Sequence, residues 1–209
     1  MKKLSYNFLI LFFMVSCKPE PPTSDLQNGI VNGIVLDKTT NSGIPNATVY
    51  LLGNEGGGTW GGGGTPSFIL DQTTTNASGK FSFNFDFDDS YGYYCSAEAA
   101  LYFNYNDEFP VNNNISGGNN VEVELQPIGY LKLNITSINF YEPSDHIDVQ
   151  SGNIDPLYGN VDTSFLLSVE GNNNYHVVWF IYIAGINEGS ESIDIYCPSF
   201  DTTYYDLFY

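Results

Sequence analysis

The sequence contains no arginine, and six lysines stand alone against 24 aspartates and glutamates, for a formal charge of −18. A field of that sign repels phosphate backbones, which excludes nucleic acid as a partner. It also repels anionic bilayer surfaces, so no basic patch can hold the chain at a membrane. Histidine is limited to two residues and cysteine to three, and no HExxH or HxxE motif occurs. Zinc hydrolysis therefore has no ligand set to work with. No apolar run approaches the roughly 20 residues that a spanning helix needs. Long Leu/Ala/Glu/Lys stretches are missing too. Gly, Asn, Thr and 16 Tyr are plentiful instead, a composition of strands and turns that makes the expected fold class all-β.

The first segment is of another kind. Met1, Lys2 and Lys3 precede Phe8 to Val15 (FLILFFMV), an unbroken apolar run followed by Ser16, Cys17 and the proline-rich KPEPP. Length and flanks suit the core of a secretory signal. MVSC resembles the lipobox of bacterial lipoproteins, with Met14 where leucine is usual, and looser versions of this kind are similar to those of Bacteroidetes. The resemblance implies cleavage before Cys17, a diacylglyceryl group on its thiol and acylation of its new amine. An ordinary signal with a chance cysteine is the alternative. Residues 1–16 are thus the signal peptide and 17–28 a lipidated tether, whose prolines favour an extended spacer. Loss of Lys2 and Lys3 leaves four lysines against 24 acids, a balance of −20. Two or more acyl chains make a stable anchor, so the implied address is the cell envelope, at the outer membrane, facing the periplasm or the surface.

From residue 29 the pattern has period two. Strands are expected at 30–37, 47–52, 68–73 and 80–87, with turns at KTTNSGIPNA and TTNASG between them. In GKFSFNFDF, Phe81, Phe83, Phe85 and Phe87 share one face and Lys80, Ser82, Asn84 and Asp86 the other. Tyr93, Cys95, Ala97, Ala99, Leu101 and Phe103 alternate next, then Val121, Val123 and Leu125. Seven short strands separated by turns indicate a sandwich.

GIVLDKTTNSGIPNATVYLL, a variable loop and TTTNASGKFSFNF resemble the carboxypeptidase regulatory-like domain, on Gly33, Val35, Asp37, Pro45, Ala47, Val49, Leu51, Thr75, Gly79, Phe81 and Phe83. The resemblance implies a transthyretin-like, Ig-like β-sandwich over residues 29–127, in a family whose function usually resides elsewhere. Pro127-Ile128-Gly129 marks a boundary. Residues 128–209 are expected to form a second, smaller β-sandwich, Ig-like in character, or an extension of the first sheet. Val177 to Ile183 (VVWFIYI), apolar on both faces, reads as its central strand with Trp179 in the core. The two halves show no sequence repeat.

Few residues invite chemistry. The GGGTWGGGG loop (56–64) lacks the Lys-Ser/Thr ending and the helix of a phosphate loop. It is a mobile hairpin tip, or it offers Trp60 to a sugar ring or protein surface. Asp86, Asp88 and Asp89 gather oxygen ligands of the kind calcium takes, without the D-x-D-x-D-G spacing. His146 stands beside Asp145 and Asp148, which reads as a polar turn rather than a metal set. His176 is expected to satisfy the edge of its strand. The Asn runs at 112–114 and 172–174 read as turns that tolerate left-handed backbone. With Cys17 lipidated, Cys95 and Cys197 remain. They either bridge, which an oxidising compartment allows, or stay as buried thiols.

Three functional classes follow. The first is a non-enzymatic envelope lipoprotein, an adaptor or binding module whose partners are the membrane through its lipid and an envelope protein or glycan. It needs no cofactor beyond the covalent lipid. The second is a surface carbohydrate-binding protein with Trp60 as contact. The third is an unrecognised hydrolase. Transthyretin-like hydroxyisourate hydrolases are similar in fold, but that family relies on an arginine and a Tyr-Arg-Gly-Ser end, whereas this chain has no arginine and ends Asp206-Leu207-Phe208-Tyr209. No catalytic residue can be nominated.

Overall fold

The structure, a computed structural model, describes residues 27–55, 67–111, 119–139 and 141–209. Cys17, Trp60 and the Asn112–Asn114 run lie outside them. Every regular element among the described residues is a strand, and none is a helix able to cross a membrane. The strands are β1 (Gln27–Asp37), β2 (Thr48–Glu55), β3 (Phe68–Thr74), β4 (Lys80–Phe87), β5 (Tyr91–Glu98), β6 (Phe109–Pro110) and β7 (Asn119–Leu125). The second half holds β8 (Ile128–Thr136), β9 (His146–Val149), β10 (Leu157–Tyr158), β11 (Asp162–Glu170), β12 (Asn173–Ile183), β13 (Ile186–Cys197) and β14 (Thr202–Phe208). β1 begins inside the span read as tether, because Gln27 already pairs with Phe87.

The strands form four sheets, β4-β1-β7 and β3-β2-β5-β6, then β11-β8-β14 and β10-β9-β12-β13. Adding seven to each strand number of the first pair gives the second. In both halves the first strand is central, antiparallel to the fourth and parallel to the seventh. The chain thus builds one topology twice with no visible sequence repeat. The second half is a separate pair of sheets and not an extension of the first.

Alternation explains the packing. Val31 and Val35 of β1, Phe81 and Phe83 of β4 and Val123 of β7 face Val49 and Leu51 of β2 and Tyr93, Cys95 and Ala97 of β5 across one core. Leu131, Leu133 and Ile135 of β8, Leu167 and Val169 of β11 and Leu207 of β14 face Ile147, Val149, Val177, Trp179, Ile195 and Cys197 across the other. β12 is central, between β9 and β13, as its two-faced apolarity required. The alternation after Tyr93 does not run on to Phe103. β5 stops at Glu98, and Leu101 turns out in a left-handed conformation (φ 67°) with half its surface exposed.

Turns are fixed by side chains that the sequence pattern singled out. Thr75, buried, accepts from Ala47 N at 2.9 Å and donates to the Ile44 carbonyl at 2.6 Å. Asp37 accepts from Thr39 N and Oγ1, Thr40 N and the Tyr102 hydroxyl at 2.7–3.0 Å. Burial alone would raise this carboxyl, but those four donors outweigh it and hold the group below its ordinary range. Gly79 has φ +77°, and a Cβ there would sit 2.7 Å from both Gly43 Cα and the Val35 carbonyl oxygen. Only glycine fits.

The two sandwiches meet without a free linker. The Ile128 N–H donates to the Leu101 carbonyl and the Phe200 N–H to the Ile128 carbonyl, at 2.9 and 2.8 Å. The Gly171 N–H reaches the Pro127 carbonyl at 2.8 Å, and buried Gln126 sends Nε2 to the Gly171 carbonyl at 3.2 Å. Asn172 is left-handed, as its run suggested. It donates to Thr39 Oγ1 across the joint at 2.9 Å and accepts from Ser199 N at 3.0 Å. Tyr102 and Phe200 meet edge to face with centroids 5.3 Å apart. The Ile128 N–H and the Pro127 carbonyl are thus each satisfied from across the boundary, by Leu101 and by Gly171.

Candidate functional site

Of the residues marked by the sequence, Cys17 and Trp60 fall outside the described residues. Asp86 points outward from β4, and Asp88 is engaged in a turn, where Oδ1 accepts from the Ser90 N–H at 2.9 Å. Those Ser90 hydrogen bonds hold the Asp88 carboxyl below its usual range. Asp89 is exposed on the same turn. Among the described residues no group of three or more His, Cys, Asp or Glu side chains is placed to hold a metal ion.

Cys95 and Cys197 are free and buried, each in its own core. The bridge left open by the sequence is not formed, because β5 and β13 contribute the two thiols to different sandwiches. Burial pushes the Cys95 thiol up to about 12 and raises Cys197 as well. His176 is not a strand-edge cap. It lies within β12, directly opposite Asp194 of β13, with Nδ1 2.7 Å from a carboxylate oxygen on the open surface. Such exposed pairs contribute about 0–1 kcal/mol. The polar turn around His146 holds its carboxylate internally. Buried Asp145 accepts from Glu142 N and Ala184 N, both at 2.9 Å. The His146 ring stacks on Tyr182 at 4.5 Å and packs against Tyr158 at 4.8 Å.

The feature that no single segment announced is a cleft of about 410 Å³ where the sandwiches meet, lined by Phe103, Tyr105, Ser168, Glu170, Asn173 and Tyr175, among others. Phe103 and Tyr105 come from the extended segment that follows the turn at Leu101. Their rings stack nearly parallel, 7° apart in plane with centroids 5.3 Å apart. The second sandwich supplies the polar wall from the end of β11 and the start of β12. Asn173 Nδ2 donates to Glu170 Oε2 at 3.1 Å, and the Tyr105 hydroxyl lies 3.4 Å from Glu170 Oε1. Burial, then the Glu170 charge, raises the Tyr105 phenol above its usual value.

The same extended segment serves a second concavity of about 220 Å³ on the outer face of β2 and β5. There Asn104, Asn106 and Glu108 join Tyr50, Ser96 and Glu98. The Tyr50 hydroxyl donates to Glu98 at 2.5 Å. Asn106 is left-handed (φ 53°) and its N–H donates to Asn104 Oδ1 at 3.1 Å, so a local turn within this segment divides its side chains between the two concavities.

No family model and no curated protein matches this sequence. Solved structures do. The chain is similar to several bacterial proteins, pilins among them. The Bacillus anthracis TIE protein is 14% identical, with TM-score 0.39 over 87% of this chain and 34% of its own length. GBS52, the minor pilin of Streptococcus agalactiae, is 14% identical, with TM-score 0.41 over 86% and 94%. The shaft pilin SpaA from Lactobacillus rhamnosus GG is 11% identical, with TM-score 0.34 over 87% and 96%. The chain spans about a third of the TIE protein. The β-sandwich assignment rests on the sheet registers themselves.

Proposed function

We propose that this chain is a non-enzymatic, lipid-anchored module of a bacterial cell envelope, an adaptor or binding protein whose rigid pair of sandwiches presents one composite binding surface. The observation that carries the reading is the cleft at the joint. Both sandwiches line it, Phe103 and Tyr105 from the first and Ser168, Glu170, Asn173 and Tyr175 from the second. Ligand sites commonly form at such domain junctions. The MVSC motif supports the anchor at Cys17. Nine residues separate Cys17 from β1. The resemblance of residues 29–127 to carboxypeptidase regulatory-like domains belongs to the same reading, with Thr75 and Gly79 holding the turns of that pattern.

Growth of expressing bacteria with radiolabelled palmitate, followed by fractionation, tests the anchor. Wild-type protein is expected to carry label and sediment with membranes, and Cys17→Ala to be unlabelled and soluble. Unlabelled wild-type protein, or label retained by Cys17→Ala, would refute the anchor.

A further inference from the structure

We infer that the cleft between the sandwiches binds a neutral pyranose unit of a glycan, held by the Tyr105 ring and the Glu170 carboxylate. The inference rests on the binding-module reading and names the ligand class for its site.

The chemistry of the walls selects the ligand. About 410 Å³ lies within the range of small-molecule sites, about 300–1,000 Å³. One wall is aromatic. Tyr105 is 52% exposed, and its stacking on Phe103 fixes the orientation of the pair. Such a face suits the flat C–H side of a sugar ring, since aromatic faces carry negative charge and C–H groups are weakly positive. The opposite wall is polar in both senses. Glu170 accepts, Ser168 donates and accepts, and the Asn173 and Asn174 amides do both. A ligand with an apolar face and a rim of hydroxyls matches both walls at once.

Other charge classes fit less well. An anion meets Glu170 within a chain of formal charge −18, and both repel it. A cation would find one carboxylate whose two oxygens already accept from donors, Asn173 Nδ2 on Oε2 and the Tyr105 hydroxyl on Oε1. An ammonium group would find Glu170 as its single charged partner in the lining, shared with those two donors. For adjacent sugar hydroxyls they are useful. They hold the carboxylate in one orientation while each oxygen keeps a lone pair free to accept. Asn173 Oδ1 in turn accepts from the Asn174 N–H at 2.9 Å, so the polar wall is itself held in place. The stacked ring pair belongs to the first sandwich and Glu170 and Asn173 to the second, and hydrogen bonds at Gln126, Pro127 and Ile128 tie the two together.

The full mature chain in detergent is applied to an array of neutral, sialylated and sulfated oligosaccharides, and the strongest neutral binder is then titrated by calorimetry. Binding confined to neutral glycans is expected. Tyr105→Ala and the isosteric Glu170→Gln should each weaken it by roughly tenfold or more, the scale of one lost ring contact or charged hydrogen bond. Tyr105→Phe, which keeps the ring, should weaken it less than Tyr105→Ala, and Tyr204→Ala, on β14 and outside the cleft lining, should leave it unchanged. The same variants are titrated with basic peptides. The inference is overturned if no neutral glycan binds, or if binding survives both Tyr105→Ala and Glu170→Gln. Peptide binding lost in those variants would overturn the sugar while leaving the binding-module reading intact. Loss of the anchor in the palmitate experiment bears on that reading alone.

Discussion

Thr75→Val is expected to destabilise the first sandwich by about 2–4 kcal/mol, although it removes a single oxygen and preserves the shape of the side chain. The hydroxyl serves two backbone groups at once. It accepts from Ala47 N and donates to the Ile44 carbonyl, in a site only 3% exposed. Valine leaves both groups buried without that partner, and each such orphan costs about 1–3 kcal/mol. Thr75→Ser restores the hydroxyl and should recover most of the loss. Urea unfolding reads the result as a lower midpoint with unchanged slope. A valine variant as stable as wild type would mean that Ala47 N and the Ile44 carbonyl are served otherwise.

Cys95 is expected to resist thiol reagents in the native protein at pH 8 and to react freely once denaturant opens the core. Burial raises its thiol from 9.0 to about 12, and only the thiolate is the nucleophile. A three-unit rise lowers the thiolate population roughly a thousandfold, before the bar to reagent entry is counted. Cys197, also buried and raised, should follow the same course. The two should titrate together in denaturant as free thiols, with no loss of two hydrogens by intact mass. Rapid labelling of the native protein, or a recovered disulfide, would contradict the separation of the thiols into two cores.

Local pattern made much of the fold legible. The alternation Phe81, Phe83 against Ser82, Asn84 specified which face of β4 is buried, and VVWFIYI marked β12 as central. Side-chain alternation reports faces, however, and not partners. Nothing in the residues of β1 or β8 states that each runs parallel to the last strand of its own half. The topological duplication was therefore hidden, because equivalent strands share faces and connections but not side chains. Alternation also continues past the end of β5. Ala99 and Leu101 keep the period while the backbone turns away, and Leu101 adopts φ 67°.

The cleft was illegible for the same reason. Phe103 read as the last residue of an alternating strand, Tyr105 carried no reading, and Asn173 and Asn174 read as a turn. Glu170 and Tyr105 come together only through the joint. The one local clue was the alternation of Phe103, Asn104, Tyr105 and Asn106, aromatics against amides in a segment too polar for a core.

The account depends most on the two sandwiches tumbling as one body, since a composite cleft has a defined shape only if its walls keep their spacing. Backbone ¹⁵N relaxation on the unacylated Cys17→Ala chain measures this directly. One rotational correlation time shared by β1–β7 and β8–β14 is the expected result, and distinct correlation times for the two halves would contradict it.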